Sequence, residues 1–231
     1  MITSITRHRT TVMLFCVAIT ACSASTTVRP LSPGEQARAL KACSEPFPVS
    51  AFRVIHKLSF TFSGNRHSSF IGVTIADQAR DRLRSVLVST EGVTLFDAVY
   101  QKGEVTILRW MLPGDANVFG SDLFDDVRFM FFRPAATSSE VGLQRDGRLV
   151  CRFFSTDMIA EVLLPQGNGG YELKRSNLNR EPLKILHMQG PFVDGFATTL
   201  TLHSRTKPTY SLVLELLEEE SLLISDDLFS R

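Results

Sequence analysis

From Leu58 onward the chain alternates. Leu58, Phe60 and Phe62 are separated by Ser59, Thr61 and Ser63, a period of two that predicts a strand with one apolar and one polar face. Ser63-Gly64-Asn65-Arg66 reads as a turn. Residues 70–76 alternate again, with Ile71, Val73 and Ile75 on one side. A polar connection at 77–81 leads into a third strand at 83–89. Glu91-Gly92 turns into a fourth at 93–100, and Gln101-Lys102-Gly103 turns into a fifth at 105–110. Strands joined by such short connections form an antiparallel meander, not a βαβ array.

Residues 113–134 break this rhythm. Pro113-Gly114-Asp115 ends the meander, and Ser121 is placed to N-cap a helix over 121–132. Asp125 and Asp126 then fall near its start, where negative charge is favoured. Leu123, Phe124, Val127, Met130 and Phe131 follow helical spacing, and Phe129 and Phe132 add to them. A helix this aromatic buries nearly all round or lies over an apolar cavity. Alternation resumes near 141–144, 149–154, 158–164, 171–175, 183–188, 197–203 and 210–217, with Asp146-Gly147 and Asn168-Gly169-Gly170 as hairpin turns. Ahead of the meander, Ser32-Pro33-Gly34-Glu35 opens a short helix with a capping box, reaching Cys43. The acidic and leucine-rich end, 215–231, reads either as a short helix on the sheet or as a frayed tail, with Glu218 to Glu220 a solvated run. The total is eleven or twelve strands in one mainly β domain, with a few helices.

The first 21 residues form a segment of another kind. Arg7, His8 and Arg9 precede a mostly apolar run, residues 10–19, too short to span a bilayer. Ile19-Thr20-Ala21-Cys22 follows and resembles the bacterial lipobox. That resemblance implies cleavage between Ala21 and Cys22 and lipidation of Cys22. Ser23 in the next position, by similarity to enterobacterial lipoproteins, implies the outer membrane, facing the periplasm. Residues 22–33 read as a flexible tether, and 34–231 as the folded domain.

Composition narrows the partners. The 231 residues carry 25 Lys+Arg and 24 Asp+Glu. Removing 1–21 takes away two arginines and no acid, leaving 23 basic against 24 acidic residues. Such a balance argues against a nucleic-acid surface and names no electrostatic partner. Cys43 and Cys151 remain in the mature chain, either as a disulfide, which the periplasm permits, or as two separate buried thiols. No CxxC or His/Cys spacing suggests a metal. GxSxG, P-loop, HExxH and GxGxxG motifs are absent from the sequence. His56, His67, His187 and His203 fall in or beside strands and read as polar-face residues. Arg82 and Arg84 share a strand face and read either as exposed or as contacts for a lipid headgroup. A monomeric non-enzyme without a cofactor is the expectation.

The element order, and the stretch from Leu58 to Pro134 above all, resembles the lipoprotein-localisation proteins LolA and LolB. It is most similar to a family of LolB-like bacterial lipoproteins, some encoded in aryl-polyene gene clusters. The stretches that carry the likeness are Asp81-Arg82-Leu83-Arg84, Thr90-Glu91-Gly92-Val93-Thr94-Leu95-Phe96 and Gly103-Glu104-Val105-Thr106-Ile107, with a helix ending in Arg133-Pro134. About two thirds of the mature chain is covered. The resemblance implies an open antiparallel half-barrel of about eleven strands, its concave face plugged by one or two helices. It further implies a cavity for a lipid or acylated ligand, with other envelope transport proteins as partners. Leu58, Phe60, Phe62, Ile71, Val73, Ile75, Leu123, Phe124, Val127 and Phe131 are the cavity and lid candidates. LolB carries a protruding apolar residue in an early loop; the corresponding connection here, 77–81, has no large apolar side chain.

Overall fold

The computed structural model describes residues 28–62, 66–165, 169–193, 195–222 and 226–229. The leader, Ala21, the proposed lipidation site Cys22 and the turns expected at 63–66 and 168–170 lie wholly or partly outside them. The strands are β1 (Arg29–Pro30), β2 (Phe52–Phe62), β3 (Arg66–Asp77), β4 (Arg82–Val88), β5 (Thr94–Gln101), β6 (Glu104–Trp110), β7 (Ser138–Leu143), β8 (Leu149–Phe154), β9 (Met158–Leu163), β10 (Tyr171–Asn177), β11 (Pro182–Val193), β12 (Phe196–Ser204) and β13 (Tyr210–Ser221). Two helices, α1 (Pro33–Ala42) and α2 (Ala116–Phe131), and two 3-10 turns at Gln78–Arg80 and Asp226–Phe229 complete the described elements.

All thirteen strands form one antiparallel sheet, ordered β1-β7-β8-β9-β10-β11-β12-β13-β2-β3-β4-β5-β6. The chain starts its meander in the middle, at β2, runs out to the edge at β6, crosses by α2 to β7 near the opposite edge, and returns strand by strand to β13 beside β2. β6 and β1 do not pair, so the sheet curls without closing. This is the expected half-barrel, with one or two strands more than the pattern predicts.

One face of most strands is apolar. Phe52, Val54, Leu58, Leu83, Leu87, Phe96, Val162, Leu173, Leu186, Leu200, Leu202, Leu212 and Leu214 are all buried on the concave side. α2 covers it with Leu123, Phe124, Val127, Phe129, Met130 and Phe131. Each of these gains roughly 1.5–3 kcal/mol from leaving water, so the helix is held by its side chains, not by its propensity. α1 covers the β7–β8 side through Ala39 and Cys43. Cys43 is joined to Cys151 of β8 by a disulfide with a sequence separation of 108.

Several expectations change. α2 begins at Ala116, five residues before Ser121: the Asp115 carboxylate accepts from the backbone N–H groups of Asn117 (2.8 Å) and Val118 (3.1 Å), so Asp115 is the cap. Asp125 and Asp126 consequently lie deep in the helix and not in its first turn. β2 begins at Phe52 instead of Leu58. Its register opposes Leu58 to Phe70 and His56 to Gly72, so the inner face of β3 is Phe70, Gly72, Thr74 and Ala76. Ile71, Val73 and Ile75 stand opposite Lys57, Ile55 and Arg53, on the convex face. A Cβ on Gly72 would meet Leu58 Cδ1 at 2.7 Å; the missing side chain is the space Leu58 fills. Phe62, at the hairpin end of β2, is 42% exposed.

Where it is described, the C-terminal run is first strand and then a short 3-10 helix packed on the sheet, as one of the two readings expected. Glu218 and Glu220 lie in β13 and pair with Arg53 of β2. The Asp226–Phe229 turn sits on the convex face: Phe229 is buried beneath the Arg82 guanidinium, 4.4 Å from the ring centre, and the Leu228 carbonyl accepts from Arg84 at 3.1 Å. Arg82 also pairs with Asp77 (3.0 Å), and Arg84 with Asp97 (2.8 Å). These arginines are thus built into the convex face, against the expectation of exposure. The expected tether ends early as well, since Arg29 and Pro30 pair with Leu143 and Gly142.

Candidate ligand cleft beside the helix α2

The two flanks of α2 differ. On the side toward β2, β3, β4 and β13, packing is nearly complete. Leu58, Phe60, Leu123, Val127 and Phe131 surround a void of only about 30 Å³, the share of one water molecule in the liquid. These five of the ten expected cavity residues therefore belong to the core. The other flank opens into a cleft of about 630 Å³, within the range of small-molecule sites.

Distant segments build this cleft. α2 supplies Phe124 and Phe129, and its C-cap Phe132; β8 supplies Phe153, and β9 supplies Met158 and Ala160. Tyr100 and Val105, from β5 and β6, form the opposite wall. Of the expected lid residues only Phe124 reaches it. Phe129 and Phe132 carried part of the signal as aromatic residues of the same run, but they fall outside the helical stripe of Leu123, Phe124, Val127, Met130 and Phe131.

Charged groups frame the apolar floor in neutralised sets. Arg128 donates to Asp81 (2.9 Å) and to the Tyr100 hydroxyl, and Tyr100 donates to Asp81 (3.2 Å). Partial burial, helped by the Asp81 carboxylate, raises the Tyr100 phenol above its ordinary range. Arg175 donates to both oxygens of Asp125 at 2.7 Å and lies 4.7 Å over the Phe129 ring. Asp125 and Asp126, which read as helix-start acids, instead anchor α2 to the sheet. Lys184 of β11 donates to both, and the Tyr210 hydroxyl donates to Asp126. Burial alone would raise both carboxyls. At Asp125 the cations Arg175 and Lys184 outweigh it and hold the pKa low; at Asp126 burial prevails and the pKa is raised.

His56 is the largest departure from the sequence reading. It is 2% exposed, on the apolar face, with its ring 5.7 Å from that of Phe131. Its Nε2 has no hydrogen-bond partner, and neither does the buried Ser85 Oγ on the wall of the same small void. Burial lowers its pKa from 6.5 to about 4, so the folded protein keeps it neutral where the unfolded chain takes up a proton. Stability therefore falls as pH drops from about 6.5 toward 4, by up to roughly 3 kcal/mol from this group. Urea-unfolding midpoints measured from pH 7.5 down to 5 should show this loss in the wild type. His56→Leu should remove most of the wild-type slope in that window.

Among the described residues no group of three or more His, Cys, Asp and Glu gathers to hold a metal, and no described helix is long and apolar enough to cross a membrane.

No family model and no curated protein matches the chain. Solved structures do. A LolA superfamily protein from Nitrosomonas europaea superposes with a TM-score of 0.54 at 10% identity, covering 85% of this chain and 97% of that one. A DUF1329 family protein from Desulfovibrio piger gives 0.47 at 12% identity, covering 87% and 98%. With its open antiparallel sheet, helices on the concave face and near-complete coverage of the Nitrosomonas protein, the chain has a LolA-like fold.

Proposed function

We propose that the protein is a non-catalytic lipoprotein of the outer membrane, anchored through Cys22 and facing the periplasm, that binds or hands on a hydrophobic or acylated molecule. The observation that carries the binding part is the 630 Å³ cleft walled by Phe124, Phe129, Phe132 and Phe153. Four aromatic side chains around one opening give an acyl chain a large apolar contact area. The lipobox-like Ile19-Thr20-Ala21-Cys22 carries the anchoring part, and the LolA-like fold supports the binding part.

Native mass spectrometry of the protein from gentle detergent tests it. Bound species with lipid or fatty-acid masses, beyond the anchor itself, are expected. A chain that carries none, and takes up none when offered phospholipid, contradicts the binding role.

One observation favours a second reading. The concave face under the β2 flank of α2 is filled to about 30 Å³, as in a solid scaffold that docks envelope partners by its surface. That reading gains if the chain binds no lipid and is recovered from membranes in a stable protein complex.

A further inference from the structure

The place where the chain enters its folded body carries a charge pattern that the net charge conceals. Arg29 and Pro30 lie along the β7 edge, paired with Leu143 and Gly142. Gly142 permits that approach, because a Cβ there would collide with the Arg29 carbonyl. Four exposed cations gather at this corner: Arg29 itself, Arg38 and Lys41 on α1, and Arg145 in the β7–β8 hairpin. Arg29 and Arg38 both lie within electrostatic reach of Glu35. Lys41 follows Arg38 by one helical turn, and Arg145 is two residues beyond Leu143, the partner of Arg29.

Of the neighbouring acids, two are paired with other cations and two keep their charge, so cations outnumber unpaired acids here by four to two. Glu35 closes the capping box with Ser32, Glu45 accepts from the Tyr171 hydroxyl, Glu140 pairs with Arg152 and Asp146 with Arg148. Among the described residues, none of the four cations forms an ion pair.

We propose that this corner, comprising β1, the outer side of α1 and the β7–β8 hairpin, rests on anionic phospholipid headgroups of the membrane that holds the Cys22 anchor. The proposal rests on the lipoprotein reading above. Length and charge point to the same surface. Seven peptide units separate Cys22 from Arg29, so a fully extended leash spans at most about 25 Å. The body therefore meets the bilayer near β1. Attraction to a charged surface decays over about 8 Å at physiological ionic strength, so cations beside the attachment point count and distant ones do not. A protein with nearly balanced overall charge thereby gains a fixed orientation.

Chemical footprinting of the full-length lipidated protein tests this. It is reconstituted in vesicles of phosphatidylethanolamine with phosphatidylglycerol, and separately in phosphatidylcholine alone. Arginines are modified with a glyoxal reagent and lysines by acetylation, and rates are read by mass spectrometry against Arg205 and Lys207 in the β12–β13 connection. On the anionic vesicles, Arg29, Arg38, Lys41 and Arg145 are expected to react about fivefold more slowly than on phosphatidylcholine, and high salt should abolish the difference. Equal rates on both vesicles, with Cys22 acylated in the same digest, would overturn the proposal alone. An N-terminal peptide without acyl chains would overturn it together with the anchor on which it depends.

Discussion

Replacing Lys184 with methionine destabilises the protein by about 3–5 kcal/mol. The ammonium is the cation held by Asp126, which is 4% exposed and otherwise receives only the Tyr210 hydroxyl. Asp125 keeps Arg175, so Asp126 bears most of the loss. Left alone in an apolar setting, a carboxylate regains a proton to avoid its charge. Its folded pKa, already raised, climbs further above the unfolded value. Stability of the variant is then largest at acid pH and lost as pH rises, so the deficit against wild type is larger at pH 8 than at pH 5. Adding Asp126→Asn removes the buried charge and keeps an acceptor for Tyr210, and it recovers much of the loss. Chemical denaturation of the two variants at both pH values checks all three statements. A deficit below about 1 kcal/mol, typical of an exposed pair, means α2 is not anchored by this network.

The double variant Cys43→Ala, Cys151→Ala lowers stability by a similar amount. The bridge closes a loop of 108 residues, for which chain entropy gives about 4–5 kcal/mol. In a domain of this size that is a fall of about 10–15 °C in Tm, read by calorimetry. The effect also has a location. α1 buries only Ala39 within its own span, so without the bridge little ties it to β7 and β8. Hydrogen exchange should show its amides opening well before those of β2 or β12.

Local features were legible in the sequence. Strict alternation gave the meander from Leu58 to Trp110, and β8 falls on the residues expected. The failures have physical causes. The first half of β2 was missed because His56 occupies an apolar-face position, which breaks a pattern of Phe52, Val54 and Leu58. β11 runs past Gly190-Pro191 because the strand bulges between Gln189 and Phe192, absorbing two residues that otherwise end a strand. β13 continues through Glu218 and Glu220 because Arg53 on β2 neutralises them. The run is solvated as expected, with the Glu218 and Glu220 side chains 54% and 52% exposed, and is strand at the same time.

The site was least legible. Assigning Ile71, Val73 and Ile75 to the cavity took the more hydrophobic of two alternating faces as the inner one. The register puts the branched residues outside and Gly72, Thr74 and Ala76 inside, where α2 needs room. The cleft itself unites Tyr100, Phe132, Phe153 and Arg175, residues that meet only because α2 carries the chain from one edge of the sheet toward the other. Spacing along the chain does not encode that meeting.

The central claim is that a hydrophobic guest lies between α2 and the β8–β9 hairpin. Titration with a spin-labelled stearic acid, observed at the methyl resonances, tests it most directly. The account predicts broadening at Met158, Ala160 and Val105, little effect at Leu58, Leu212 and Leu214, and loss of the broadening in Ala160→Phe, where a ring occupies the cleft. Unchanged methyl signals at saturating ligand, or broadening centred on Leu58 and Leu214, would contradict it.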